Sequence, residues 1–238
     1  MKDLSMTSVP DAATLDTLPY RDAIDRVATL RAQVIRVSLD VSLLNTYGTK
    51  DEGLKAELIR LSETIQQTAR VVEGQDVFTD LPNELSGWIA AQSAQSRSER
   101  RTISTMAEKT QALCEQACSG EPVSAEALNR YIQNGKGEFF EAVTAIINGL
   151  WQGIEEGRAS QLAIAATSAR NLEASLDRLD RIGRYVRSMS INASVEASRA
   201  GEAGKGLTII AHEFKTLAEE VQQLIVTART DIKEIGVE

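Results

Sequence analysis

Aromatic side chains are scarce in this sequence, 4% of its residues, and it holds only four prolines, two cysteines and one histidine. A 42% hydrophobic content that is poor in aromatics and rich in Ala, Leu and Ile suits long helices packed through aliphatic seams better than sheets. The predicted fold class is all-α. One histidine and two cysteines far apart from it make at most half of a tetrahedral metal site, so no metal or other cofactor is expected. Positive charge is also in deficit: 26 Lys and Arg against 34 Asp and Glu leave a formal charge of −8. A nucleic-acid partner is excluded on that balance, because neutralising phosphates needs a basic face. Long apolar runs are missing as well. The longest, Ala142 to Trp151, is broken by Asn148 and Gly149 and falls well short of the roughly 20 residues that span a bilayer. The first 19 residues carry acidic side chains and no continuous apolar stretch, so no signal peptide is expected and the protein is placed in the cytoplasm.

What is present is helical periodicity, interrupted at definite points. Residues 1–18, with Pro10 and several Ser, Thr and Asp, read as a flexible leader. From Tyr20 onward, Ala23, Val27, Leu30, Val34, Val37, Val41 and Leu44 alternate steps of four and three, the spacing of an apolar heptad stripe. Gly48 is the predicted C-cap and Asp51 opens a second helix carrying Leu54, Leu58, Leu61, Ile65, Thr68 and Val72 on one face. Asn83 is the predicted cap of a third helix, which carries Leu85, Trp88 and Ile89 and then Ile103, Met106, Thr110, Leu113 and Ala117. Its middle, 91–101, is polar all round and is either solvent-facing or bent. Ser124 begins a short helix. From Gly137 a single long helix is expected to run to about Ala200, with kinks near Gly153 and Gly157; Phe139, Val143, Ile146 and Leu150 form its first stripe. Trp88, Trp151, Phe139 and Phe140 either fill a core or line a ligand cavity, and core filling is the default for aromatics of this kind.

The two cysteines, Cys114 and Cys118, are spaced i, i+4 and share one helical face. Two readings follow: small residues in a helical seam, since free cysteine packs as a small hydrophobe, or a thiol sensor. No catalytic set emerges. His212 has no serine or cysteine nucleophile near it and is expected at the surface, while Glu155 and Glu156 are adjacent on a helix and point about 100° apart. The protein is not expected to be an enzyme.

The most informative stretch is Ile182 to Glu219. Gly201, Gly204 and Gly206 lie within six positions, where a helix interior would lose about 1 kcal/mol per glycine relative to alanine, so the chain reverses there. Helical patterns resume on both sides: Leu172, Leu176, Leu179, Val186, Met189 and Ala193 before it, and Leu207, Ile210, Phe214, Leu217, Val221, Leu224 and Ala228 after it. The expected structure is a long antiparallel helical hairpin with its tip at 200–206. Such a hairpin cannot bury its seam alone, so four-helix-bundle packing by homodimerisation is expected.

The wording of this stretch carries more than its periodicity. Asn192-Ala193, Glu196-Ala197, Arg199-Ala200-Gly201-Glu202-Ala203-Gly204-Lys205-Gly206, then Ala211, Glu213-Phe214-Lys215 and Leu217-Ala218-Glu219, resemble the hairpin tip of the cytoplasmic signalling domain of methyl-accepting chemotaxis proteins. The resemblance covers about residues 160–236. It implies a non-catalytic signalling protein whose tip meets the chemotaxis histidine kinase and its coupling adaptor, or other chemoreceptors, through Ile191, Asn192, Val195, Glu196, Arg199 and Glu202, with Gly201, Gly204 and Gly206 making the turn. The sequence departs from the family pattern over the incoming arm, where Arg184, Tyr185, Arg187 and Ser188 stand. Arg184 and Arg187 add positive charge there, which is expected to weaken packing of hairpins against one another. No Glu or Gln pair has a convincing methylation context. The expected organisation is a helical input or regulatory module over 19–134 and a signalling hairpin over 137–238. The alternative is a structural or decoy interaction protein that keeps the hairpin without controlling a kinase.

Overall fold

The computed structural model describes residues 17–47 and 51–235. Seven α-helices and one 3₁₀ turn follow one another, with no strand among the described residues: α1 (Thr17–Tyr47), α2 (Glu52–Glu73), α3 (Asn83–Gln92), α4 (Arg97–Ser119), α5 (Ala125–Lys136), α6 (Glu138–Arg199), the turn Gly201–Gly204 and α7 (Lys205–Ile235). The chain divides into two compact units at Gly157/Arg158. α6 begins in the first unit and ends in the second. It is unbroken through Gly153 and Gly157.

In the first unit the heptad stripe of α1 becomes the core. Ala23, Val27, Leu30, Val34, Val37, Val41 and Leu44 are all buried, and Leu58, Ile65, Val72, Ile103, Met106, Leu113, Phe139, Val143, Ile146 and Leu150 from the other helices pack with them. The helix ends follow local chemistry. The Asp51 carboxylate accepts from the Gly53 and Leu54 amides, both at 3.0 Å, satisfying two of the donors that the start of a helix leaves open. Gly74 and Gly120 close α2 and α4 in the left-handed region, and the Ser124 hydroxyl accepts from the Ala127 amide to start α5. The predicted cap at Gly48 and most of the predicted leader, 1–16, lie outside the described residues.

Three expectations are corrected. Asn83 does not cap α3; it is the first helical residue, with Pro82 before it and no side-chain cap. The polar middle of the predicted third helix is a break: Ser93–Ser96 form a turn, with the Ser93 amide donating to the Ile89 carbonyl and the Ser96 amide to the Ser93 carbonyl, so α3 and α4 are separate. Of the four aromatics expected in the core, only Phe139 is fully buried. Trp88 is half-buried with its ring edge-on to Tyr20 at 4.9 Å. Trp151 and Phe140 are exposed, and Phe140 carries the Arg31 guanidinium 4.1 Å above its ring. A cation held on a ring face keeps one side of that ring out of the apolar core.

The segment linking α4 to α5 is tied to α1 by one side chain. The Asn45 amide donates to the Val123 carbonyl at 2.8 Å, and its oxygen accepts from the Val123 amide at 3.1 Å. Asn45→Ala leaves both backbone groups without a partner in a part-buried place and should destabilise the first unit by about 2 kcal/mol. Asn45→Asp keeps the acceptor but sets a carboxylate oxygen against the Val123 carbonyl in place of the donor, so it should cost at least as much. Urea unfolding of the two variants checks the order.

Candidate functional site

The site is the hairpin of the second unit, and its geometry begins at the tip. Gly201 has φ +59°, the left-handed conformation that L side chains avoid. Gly204 has an ordinary backbone but no room: a Cβ there would lie 2.1 Å from the Ala197 carbonyl oxygen. Gly206, in the first turn of α7, has open space around it. Two glycines are therefore required for two different physical reasons, and the third sits where a side chain could be accommodated.

Behind the tip, α6 and α7 run antiparallel. Asp177 pairs with Arg229, Arg187 pairs with Glu219 at 3.4 Å, and Gly183 faces Ala218 and Gln222, pairings that place the reversal between Ala200 and Ala203. Towards the tip the line of contact is made of small residues, and Leu176 and Ile225 close its far end. Leu176, Gly183, Ser190 and Ala197 on α6, each one heptad from the next, and Gly204, Ala211, Ala218 and Ile225 on α7, again one heptad apart, are the buried positions. Small residues let two backbones approach closely, and that approach buries them. The larger apolar residues lie to the side. Leu207, Ile210, Phe214, Leu217 and Leu224 are between 46% and 68% exposed, and on α6 so are Leu172, Leu179, Ile182 and Met189. Most of the stripe read from the sequence as the seam of the hairpin is thus left open along it, Leu176 excepted, and towards the tip the hairpin's own contact is the Gly, Ala and Ser file beside it.

The residues expected at the tip are brought together on its outer surface. Ile191 and Val195 are each 49% exposed, and Asn192, Glu196, Arg199 and Glu202 are exposed around them. Glu196 and Arg199 form an ion pair at 2.9 Å, and Glu202 and Lys205 another at 2.7 Å. Both pairs are solvent-exposed contacts within a turn and stabilise little by themselves. The arginines of the incoming arm do not act as free charges: Arg184 is paired with Asp180 at 2.9 Å and Arg187 with Glu219. Their carboxylate partners lie one turn back and on the facing helix. Tyr185 is exposed to 73%.

His212 is exposed on α7, and the Thr216 hydroxyl lies 3.4 Å from its Nδ1. The cysteines lie in the first unit, on α4. Cys114 is buried, and burial pushes its thiol up to about 12; Cys118 is half-buried and its thiol is raised for the same reason. Among the described residues no group of three or more His, Cys, Asp or Glu could hold a metal ion, and no helix is long and apolar enough to cross a membrane. Sequence reasoning missed the polar contacts inside the first unit: Asp40, almost wholly buried, held by Arg36 at 2.9 and 3.0 Å, and the Thr110 hydroxyl 2.8 Å from the Tyr131 hydroxyl. The spacing of Arg36 and Asp40, i and i+4, was the available signal for the first.

Known proteins resemble this part of the chain in sequence. The family model for the methyl-accepting chemotaxis protein signalling domain matches residues 90–237, a longer stretch than the tip motif alone indicates, reaching back to the end of α3. Relatives include the methyl-accepting chemotaxis protein HlyB of Vibrio cholerae, 29% identical over 102 residues, covering 40% of this chain and 18% of that protein. The frizzy aggregation protein FrzCD of Myxococcus xanthus is 35% identical over 127 residues, 50% of this chain and 29% of FrzCD. The transducer protein Htr18 of Halobacterium salinarum is 36% identical over 72 residues, 24% of this chain and 9% of Htr18. The aligned stretch is thus less than a third of the length of each of these relatives. No solved structure matches the chain. With the match spanning more than half of its 238 residues, and with a two-helix hairpin turned by Gly201 and Gly204 within it, the chain belongs to the methyl-accepting chemotaxis protein signalling-domain family.

Proposed function

We propose that this protein is a cytoplasmic, chemoreceptor-like signal-transduction protein that dimerises through its hairpin and presents the tip to the chemotaxis histidine kinase, its coupling adaptor or other receptors. The observation that carries the reading is the open aliphatic stripe. α6 and α7 meet through small residues, and Leu207, Ile210, Phe214 and Leu217 remain about half exposed. A second copy of the hairpin offers the same stripe and closes a four-helix bundle, which buries apolar area that a monomer leaves in water. At the tip, Ile191 and Val195 form a small apolar centre ringed by Asn192, Glu196, Arg199 and Glu202, the composition of a protein-binding patch. The role is binding, with no catalysis by this chain. The helices of the first unit supply the input, and their packing biases that of the hairpin, a two-state element in the population-shift sense.

The test is capture of the kinase and adaptor on the full chain, with kinase autophosphorylation as the second readout. Wild-type protein is expected to retain both partners and to change kinase activity. Combined Glu196→Ala and Arg199→Ala should weaken capture by about tenfold or more, as loss of interface residues near a patch centre does. If saturating wild-type protein neither retains the partners nor alters the kinase, while the dimer persists, the chain is an assembly or decoy protein that keeps the hairpin alone.

A further inference from the structure

A groove of about 570 Å³ lies where α4, α5 and the start of α6 meet in the first unit. Its long wall is one stripe of α4: Ser98, Arg101, Thr102, Thr105, Met106 and Lys109 follow at steps of three and one. The end of α5 and the first turn of α6 close the other side with Gln133, Asn134 and Glu138. Met106 and Phe139, each 2% exposed, form the floor, and the polar side chains stand around them. Arg101 and Lys109 are exposed and have no carboxylate partner among the described residues. Glu138 is the one carboxylate among the lining residues. Two cations thus outnumber it, in a chain whose formal charge is −8.

We propose that this groove binds a small organic anion, a carboxylate on an apolar body, with the carboxylate at Arg101 and Lys109 and the body over Met106 and Phe139. The volume is that of a small-molecule site, for which about 300–1,000 Å³ is usual. The two cations select negative charge, and a guanidinium presents paired donors that match a carboxylate. An inorganic anion would use the cations and leave the apolar floor in water. A neutral apolar molecule would cover the floor and leave the cations without a partner. A ligand with both parts uses both. Met106 suits the floor because its unbranched thioether adapts to the shape above it and packs well on a ring. Glu138 stands in the first turn of α6, where the helix dipole favours a negative charge; inside the groove its charge opposes the ligand's. Met106 also reaches α5. A Cβ on Gly135 would lie 3.5 Å from the Met106 Cε and 2.9 Å from the Val34 Cγ1, so a ligand that moves Met106 presses on a contact between α5 and α1 with no spare room. Binding stands on the groove alone; its use as an input to the hairpin rests on the signalling role proposed for the chain.

The experiment is equilibrium dialysis of the full chain against radiolabelled benzoate, with no kinase present. One benzoate per chain is expected, with a Kd of about 1 mM or tighter that weakens as salt is added. Arg101→Gln and Lys109→Gln should each weaken binding about three- to fivefold, the worth of an exposed ion pair, and the double variant about tenfold. Glu138→Gln should tighten it about twofold by removing the like charge. All three positions are exposed, so the variants fold, and circular dichroism checks their helicity. Acetate and inorganic phosphate, which lack the apolar body, and benzyl alcohol, which lacks the charge, should each compete at least about tenfold more weakly than benzoate. No saturable binding, a double variant that binds as the wild type does, weaker binding in Glu138→Gln, or phosphate or benzyl alcohol competing as well as benzoate would each overturn the proposal. Kinase capture by the tip is measured without benzoate, so the failure of either reading leaves the other standing.

Discussion

Gly204→Ala should destabilise the hairpin by about 3 kcal/mol, the upper end of what overpacking a well-packed place costs. The added methyl group would stand 2.1 Å from the Ala197 carbonyl oxygen. The obstacle is backbone, so no side chain can rotate away, and either the tip opens or α6 and α7 move apart. The other two glycines give the scale. At Gly201 the space is open but φ is +59°, so Gly201→Ala should cost only the left-handed strain, about 1–2 kcal/mol. At Gly206 the residue is helical and the space open, so Gly206→Ala should stabilise by about 0.5–1 kcal/mol through helix propensity and a less free unfolded chain. Hydrogen exchange of the full-length variants, read at the amides flanking the turn, measures all three. A Gly204→Ala protein as well protected as Gly206→Ala would mean that the approach of α7 to Ala197 is not a feature of the hairpin.

The second large effect concerns self-association. Phe214 and Leu217 are half exposed on α7; in a bundle of two hairpins the remaining half of each is buried. Full burial of such a side chain is worth about 1.5–3 kcal/mol, so half burial contributes about 1 kcal/mol at each of four places in the dimer. Replacing both residues by Glu removes roughly 4 kcal/mol, about a thousandfold in Kd at 1.4 kcal/mol per decade, and adds the cost of desolvating carboxylates. Sedimentation equilibrium should show the wild type as a dimer and the double variant as a monomer at the same concentration. The first unit, whose core contains neither residue, should keep its exchange protection. A double variant that associates as the wild type does would remove the aliphatic stripe from the interface.

The elements of this fold were legible where a pattern repeats. The alternation of fours and threes from Ala23 to Leu44 identified seven residues that all lie in the core, because a helix presents every third and fourth residue to the same side whatever it packs against. The break between α3 and α4 was only half legible: a polar stretch marks exposure and interruption alike, and the turn at Ser93–Ser96 is settled by which backbone carbonyls its amides reach. Phe140 counted as a core aromatic by type, yet Arg31, more than a hundred residues earlier in the chain, covers its ring. Arg187 has its carboxylate partner, Glu219, across the hairpin, which no local spacing shows.

The hairpin tip shows where the division falls. The sequence by itself determined that the chain reverses between Arg199 and Lys205, since three glycines within six positions cannot continue a helix at low cost, and the wording around them identified the family. Only the tertiary structure decided which face of α7 meets α6. Apolar spacing marks Leu207, Ile210, Phe214 and Leu217 as a seam but carries no information about its partner. The antiparallel helices instead close on Gly183, Ser190, Ala197, Gly204, Ala211 and Ala218, residues with little hydrophobic signal of their own. They are buried because small side chains allow two backbones to come near, a property of the pair of helices that neither strand of sequence expresses alone.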